Sequence, residues 1–136
     1  MKKLLLVFTI CIATSFVASA QIPPLNKQQT VDYINDLFKK ASDYADIITG
    51  YTLENKVLVC TYRSGTKYRQ DLEKLNVDSI FIKNRDKKFI VYHIHQEDNY
   101  FFGAIQLESD AIRLKKALEH LIELVKAEKS TDPFDN

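Results

Sequence analysis

The apolar residues of this chain follow two different periods, and the change between them limits the folds that the chain can adopt. Before Gly50 and after Leu107 they recur every three or four positions, which is typical of amphipathic helices. Between these two residues they form short runs, rich in β-branched and aromatic side chains, that are separated by turn residues. The order helix, strands, helix predicts an α+β domain.

A first helix is predicted over residues 27–46. Asn26 can cap its first turn, because Gln29 follows at the spacing of a capping box. One apolar stripe runs along this segment, and we expect the helix to end before Gly50. The stripe consists of Val31, Ile34, Phe38, Ala41, Ala45 and Ile48.

The middle of the chain predicts a strongly bent antiparallel meander of five or six strands. Hairpin turns are expected at Glu54-Asn55, where Asn tolerates a left-handed backbone, at Ser64-Gly65 and at Asn84–Lys87. The predicted strands are Tyr51–Leu53, Lys56–Tyr62, Lys67–Asp71, Val77–Lys83, Lys88–His95 and Tyr100–Leu107.

Two of these strands are apolar on both faces. The run Phe89–His95 does not alternate cleanly between apolar and polar residues, and Tyr100-Phe101-Phe102 repeats that pattern. A solvated antiparallel sheet alternates more regularly. We therefore expect a helix to cover one face and the opposing wall of a curled sheet to cover the other. Gly103 permits a bend or a bulge at such a corner.

Ser109 is predicted to cap a long C-terminal amphipathic helix that extends to Lys129. Hairpins closed by such a helix resemble the pleckstrin-homology-like fold, in which a strongly bent sheet is capped at one end by a C-terminal helix. The resemblance covers Gly50 to Lys129 and rests on element order, and the N-terminal helix departs from it. It implies a binding scaffold, since most relatives bind lipids, peptides or proteins. A cystatin-like arrangement, in which the sheet wraps the first helix, is the second candidate.

Residues 1–20 are predicted to be a cleaved secretory signal. Two lysines precede an apolar run, and Ala18-Ser19-Ala20 offers the small side chains that a signal peptidase admits. We expect an exported protein, periplasmic or secreted, with one globular domain over 21–130 and a polar tail over 131–136.

Charge and cysteine content narrow the class of partner. Cleavage after residue 20 removes two of the 19 basic residues and none of the 18 acidic ones, which leaves a net charge of −1. Nucleic-acid binding needs a concentrated basic surface, so we expect no nucleic-acid partner. The mature sequence has no transmembrane segment and keeps one cysteine, Cys60. No intrachain disulfide can form, and we expect no cofactor.

Three histidines are candidate metal ligands. His93 and His95 are expected on the same face of one strand, because side chains alternate with a period of two. His120 comes from the final helix and reaches them only through folding. A zinc site needs three or four converging ligands. A metal site is one interpretation, and half-exposed histidines at a strand end, which we favour, are the other.

Arg63, Lys67 and Arg69 surround the Ser64-Gly65 turn. In the pleckstrin-homology-like family a basic hairpin in a comparable place often holds phosphorylated lipid headgroups, so the resemblance implies an anion site here. Two acidic residues follow shortly and offset the charge, and an exported protein would not meet that lipid. We favour a solvated turn.

Aromatic side chains in the strands supply the main candidate binding surface. A tyrosine ring can be buried while its hydroxyl stays in water, which suits contact surfaces. Tyr92, Tyr100 and Phe102 are the candidate cleft residues; the alternative is that such rings complete the core. Cys60 lies among apolar residues without a neighbouring base, so we expect a packed side chain and not a nucleophile.

These features predict an exported, non-catalytic binding or accessory module. It would hold a protein, a peptide or a small apolar ligand at a sheet edge or in an aromatic cleft. The sequence contains no glycine-rich phosphate loop, serine elbow or CxxC motif. The alternatives are a small metal-dependent hydrolase that uses the three histidines, and a structural subunit of an envelope complex.

Overall fold

The computed structural model describes residues 24–42, 47–95 and 98–128; the side chains of 95 and 98–100 lie outside that description. It has an N-terminal helix, six antiparallel strands in two sheets and a C-terminal helix, so the predicted α+β class is confirmed. The helices are α1 (Lys27–Ala41) and α2 (Glu108–Ala127). The strands are β1 (Ile48–Glu54), β2 (Val57–Tyr62), β3 (Lys67–Asp71), β4 (Ile80–Arg85), β5 (Lys88–His95) and β6 (Asp98–Ile105).

The predicted capping box at the start of α1 is confirmed. The Asn26 side-chain oxygen accepts a hydrogen bond from the Gln29 backbone N–H at 2.9 Å, and the Gln29 side chain accepts one from the Asn26 N–H at 3.0 Å. The helix ends at Ala41 and not at residue 46, because Ser42 is extended and forms a bridge with β6. The predicted helical residues 43–46 lie outside the described residues.

Strands β1, β2 and β3 form the first sheet in that order. The predicted β1–β2 hairpin is confirmed, and Asn55 has a left-handed backbone in its turn with φ of 57°. The register pairs Tyr51 with Cys60 and Cys60 with Tyr68, so these three side chains share one face. This face contributes Ile48, Tyr51 and Leu58 to the core.

Two short 3₁₀ helices, Leu72–Lys74 and Val77–Ser79, separate the strands into two sheets where one meander was predicted. The side chains of Asp71 and Asn76 each accept a hydrogen bond from the backbone N–H two residues later, at 3.1 and 3.2 Å. Such bonds compete with the ladder hydrogen bonds of a sheet. Leu75, between the two turns, is buried in the core, so the connection packs inward.

Strands β4, β5 and β6 form the second sheet in that order. The turn between β4 and β5 consists of Asp86 and Lys87, whose φ angles are 52° and 64°. Positive φ at both central residues is the requirement of a type I′ hairpin turn, which matches the natural twist of the two strands. The hairpin is therefore tighter than the predicted four-residue loop over 84–87.

A bulge in β6 lies beside Gly103, where the sequence permits a bend or a bulge. Val91 of β5 pairs with Gly103, whereas the next residue, Tyr92, pairs with Phe101. Phe102 is the extra residue, so it can point inward while Phe101 points outward. Glycine fits beside the bulge, since a Cβ at this position would lie 3.0 Å from an aromatic carbon of Phe38 and would push that ring aside.

The two helices pack antiparallel to each other. Lys27 at the start of α1 forms a salt bridge with Glu128, which follows the end of α2. The predicted cap at Ser109 is wrong, because α2 begins at Glu108 and its N-cap residue, Leu107, makes no side-chain capping bond. No helix in the described ranges is long and apolar enough to cross a bilayer.

Tyr51 connects α1 with both sheets. The Asn35 side chain of α1 accepts a hydrogen bond from the Tyr51 N–H at 2.7 Å and donates one to the Tyr51 carbonyl at 2.8 Å. The Tyr51 ring meets that of Phe38 edge to face, with centroids 5.6 Å apart. Its hydroxyl donates to the Phe102 carbonyl of the second sheet. The Asn35 side chain thus binds the backbone groups of β1 that a neighbouring strand would otherwise bind at this edge.

Substitution of Asn35 tests this edge contact. Asn35→Asp can still accept from the Tyr51 N–H but cannot donate to the carbonyl, so we expect a loss of about 1 kcal/mol in the free energy of unfolding. Asn35→Ala should lose about 2 kcal/mol, since both backbone groups lose their partner. Urea denaturation measures both. Asp36→Ala, exposed on the same helix, should stay within about 0.5 kcal/mol, and an equal effect of all three substitutions would contradict the assignment.

Candidate functional site

Three aromatic residues lie side by side across the second sheet, on the face that points away from the helices. Phe81 of β4 pairs with Tyr92 of β5, which pairs with Phe101 of β6. The Phe81 and Tyr92 ring centroids are 6.0 Å apart. Phe81 and Phe101 are 41% and 44% exposed, and Tyr92 is half-buried. We call these three residues the aromatic row.

The apolar surface extends beyond the aromatic row along β5. Ile94 and Ile90 are each two residues from Tyr92 and therefore share its face. Ile94 is 45% exposed, and Ile90 is half-buried. The prediction that both faces of these strands are covered is thus wrong for the outer face. The strands divide into two sheets that both pack on the helix pair, so none of the described residues forms an opposing wall over Phe81 and Phe101.

The same face becomes basic toward the β4–β5 turn. Lys83 and Arg85 follow Phe81 at intervals of two, so all three side chains lie on the outer face of β4. Lys88 pairs with Arg85 across the hairpin, and Lys87 lies in the turn. All four cations are exposed, and Asp86 is the one acidic residue among them. We call Lys83, Arg85, Lys87 and Lys88 the basic end of this face.

The predicted cleft residues Tyr92, Tyr100 and Phe102 do not lie on one surface. Tyr92 belongs to the aromatic row. Phe102 is 3% exposed and packs in the core, which the bulge makes possible. The backbone of Tyr100 pairs with His93, but its side chain lies outside the described part of the structure. Of the three, Tyr92 is the one whose described side chain can reach a partner from the outer face.

The histidines have separate surroundings. His93 lies on the inner face of β5, next to Ile80 in the register, and is 1% exposed. His120 of α2 is half-buried, and its Nε2 lies 2.8 Å from the carbonyl oxygen of Leu25, so it holds the segment before α1. The side chain of His95 is outside the described part. Within that part, no three His, Cys, Asp or Glu side chains are grouped to hold a metal ion.

The predicted basic turn is exposed, but part of its charge is neutralised. Arg63, Lys67 and Arg69 all lie on the surface of the β2–β3 hairpin. Arg69 forms a salt bridge with Glu54 of β1, across the middle strand of the first sheet. Exposed ion pairs of this kind contribute little to stability, yet they lower the local positive charge. At the basic end Arg85 likewise pairs with a carboxylate, that of Asp86, at 3.7 Å, so both hairpins lose part of their positive charge.

Cys60 is half-buried beside Tyr51 in the first sheet. Burial raises the pKa of the Cys60 thiol above its ordinary value of 9.0, although its hydrogen bond with Tyr51 acts in the opposite direction. The pKa of Tyr51 is also raised well above its usual range, mainly by burial. The neutral thiol is a poor nucleophile, so Cys60 is placed to pack.

A polar groove of about 480 Å³ lies between α1 and the edge of β1. Asp32, Asp36 and Lys39 line it from the helix, and Thr49 and Thr52 line it from the strand. Asn35 at its base is already engaged with the Tyr51 backbone. The groove is shallow, and its lining is mostly polar and mixed in charge. It does not offer the apolar contact area that usually anchors a small molecule.

Comparisons with protein-family models, with curated proteins and with solved structures give no significant match for this chain. The resemblance to the pleckstrin-homology-like fold therefore stays a prediction.

Phe81, Phe101 and the basic end are not among the site residues predicted from the sequence. The available signal was the β4–β5 hairpin, because a two-residue turn at Asp86 and Lys87 determines which residues pair across the strands. From that register, alternate positions place Phe81 opposite Tyr92. The bulge in β6 could not be located to the residue from sequence, and it decides which phenylalanine is exposed.

Two neighbouring phenylalanines give a direct test of this assignment. Phe102→Ala should lower the free energy of unfolding by about 3–5 kcal/mol, since it removes a buried ring from the core. Phe101→Ala should cost less than about 1 kcal/mol, because 44% of its surface is already in water. Urea denaturation of both variants measures the difference. Similar losses would mean that the outer face is covered or that the bulge lies elsewhere.

The pKa of Cys60 predicts its reactivity. A raised pKa keeps the thiol protonated at neutral pH, so alkylation by iodoacetamide should be slower there than that of free N-acetylcysteine. The rate should rise with pH and continue to rise beyond the ordinary value of 9.0, where the rate of an unperturbed thiol levels off. Peptide mass mapping reads the reaction at Cys60 itself. A rate equal to that of the free thiol at neutral pH would contradict the assignment.

Proposed function

We propose that this chain is an exported, non-catalytic binding module that docks a protein partner on the outer face of its second sheet. The observation that carries the proposal is the aromatic row, in which Phe81 and Phe101 expose more than two fifths of their surface beside Ile94. Single exposed apolar residues are common on proteins, but adjacent ones on one rigid face favour an interface.

The chemistry of the aromatic row suits protein recognition. Aromatic rings lose little conformational entropy on binding and are enriched in the centre of interfaces. Full burial of one such ring from water is worth roughly 1.5–3 kcal/mol, and docking would bury the two fifths of Phe81 and Phe101 that are still exposed. Strand pairing on both sides of β5 holds the rings in place before the partner arrives.

We propose a non-catalytic role because the described His and Cys side chains that could react are buried or hydrogen-bonded within the fold. His93 packs in the core, His120 holds the Leu25 carbonyl, and burial keeps the Cys60 thiol neutral. A general base needs access to a substrate proton, and a nucleophilic cysteine needs a lowered pKa. These three positions therefore favour structure over chemistry.

Export is proposed from the signal-like residues 1–20, which lie outside the described part of the structure. An exported module would meet its partner in the periplasm or beyond the cell, where a lone cysteine gives no intrachain disulfide. The domain then depends on its packed core, which both helices and both sheets share.

Photo-crosslinking in the producing cells tests the proposed docking face. A benzoylphenylalanine at position 81 or 101 should yield a discrete adduct with a partner protein, because each ring lies in the interface. The matched control is position 112 of α2, where the native Ile112 is 41% exposed, the same as Phe81. We expect no adduct of that mass from position 112.

A second variant distinguishes specific docking from nonspecific crosslinking. Phe101→Glu should remove the adduct formed from position 81, since a carboxylate in the aromatic row opposes burial. Its circular dichroism spectrum should match that of the wild type. The proposal fails if positions 81 and 112 give the same adducts, or if neither aromatic position gives one.

A further inference from the structure

The outer face of the second sheet has a direction, which the strand register defines. Phe81, Lys83 and Arg85 succeed one another on the outer side of β4, so an apolar residue is followed by two cations. On β5 the same direction leads from Tyr92 through Ile90 to Lys88. Four residues of strand separate Phe81 from Arg85, which corresponds to about 13 Å. Apolar and basic chemistry thus occupy opposite ends of one surface.

We infer that the partner segment is apolar at one end and acidic at the other, with its carboxylates about 13 Å from its apolar anchors. The apolar side chains lie over the aromatic row, and the carboxylates face Arg85 and Lys88 at the basic end. This partner chemistry rests on the proposed function, because it concerns the same face. It adds the charge of the partner and the direction in which the partner lies.

Charge complementarity is the argument for an acidic segment. The stretch 83–88 contains four cations and one acidic residue, whereas the mature chain as a whole has a net charge of −1. Positive charge is therefore concentrated at this hairpin against a slightly acidic background. Opposite charge across an interface speeds encounter and fixes the register of the partner. A guanidinium and an ammonium side by side suit a pair of carboxylates.

A protein segment fits this face better than a membrane surface. Stable attachment to anionic lipid takes either two lipid anchors or an anchor with a larger basic patch, and the slightly acidic mature chain gives no general attraction to such a surface. The aromatic row spans three strands, about 10 Å, which matches the width of one partner helix that runs along the strands toward the basic end. An acidic segment of a second protein is therefore the occupant.

Selection from a random peptide library displayed on phage tests the inference without knowledge of the natural partner. Peptides enriched on the wild-type domain should contain apolar residues together with Asp or Glu at one end. Their affinity should fall roughly tenfold in Arg85→Glu/Lys88→Glu and should weaken as salt is added. The matched control is Lys116→Glu/Lys126→Glu, which changes the net charge equally at two exposed positions of α2 and should leave the affinity unchanged.

The outcomes separate the inference from the proposed function. One outcome would overturn the partner chemistry and keep the docking face. In it, Phe81→Ser/Phe101→Ser abolishes peptide binding, but the peptides show no enrichment in Asp or Glu, or Arg85→Glu/Lys88→Glu has no effect on their affinity. Peptides that bind the Phe81→Ser/Phe101→Ser variant as tightly as the wild type would overturn both. Failure to enrich any peptide would overturn the inference, as would sedimentation with phosphatidylethanolamine–phosphatidylglycerol vesicles that depends on Arg85 and Lys88.

Discussion

The contacts of Tyr51 hold the three parts of this fold in one arrangement. Its backbone N–H and carbonyl both bind the Asn35 side chain, its ring packs on Phe38, and its hydroxyl reaches the Phe102 carbonyl. A buried hydroxyl without an acceptor would cost about 1–3 kcal/mol, so this bond sets how closely the sheets approach. The bulged strand is thereby fixed with its extra residue pointing inward.

The bulge at Phe102 explains how one strand can serve both the core and a surface. In a regular strand, Phe101 and Phe102 alternate, but the residue after them would return to the outer face. The extra residue instead directs Phe102 and Gly103 to the inner side together, where Gly103 leaves room for Phe38. Phe101 remains outside with Tyr92. The packing of the core and the formation of the aromatic row are thus two results of the same irregularity.

The features of the fold that depend on neighbouring residues could be predicted from the sequence. The features that depend on pairing between distant segments could not. The capping box at Asn26, the turn at Asn55 and the bulge near Gly103 each follow from residue types within a few positions. The division into two sheets depends on whether the chain forms 3₁₀ helices or continues as a strand after Asp71. Hydrogen bonds from short polar side chains decide between the two by small differences in free energy. The exposed aromatic row was hidden for a related reason: apolar residues on both sides of a strand signal contact, but they do not tell whether a given side chain lies in the core or on the surface.

The β4–β5 turn has a further consequence. Asp86 and Lys87 both adopt left-handed backbone angles, which cost a residue with a side chain roughly 1 kcal/mol that glycine would not incur. Asparagine followed by glycine would suit this geometry best. Lysine in the second place instead puts an ammonium group at the very apex of the hairpin, farthest from the body of the domain. The turn is strained, but it places a positive charge at its tip, where an approaching acidic molecule would first be attracted.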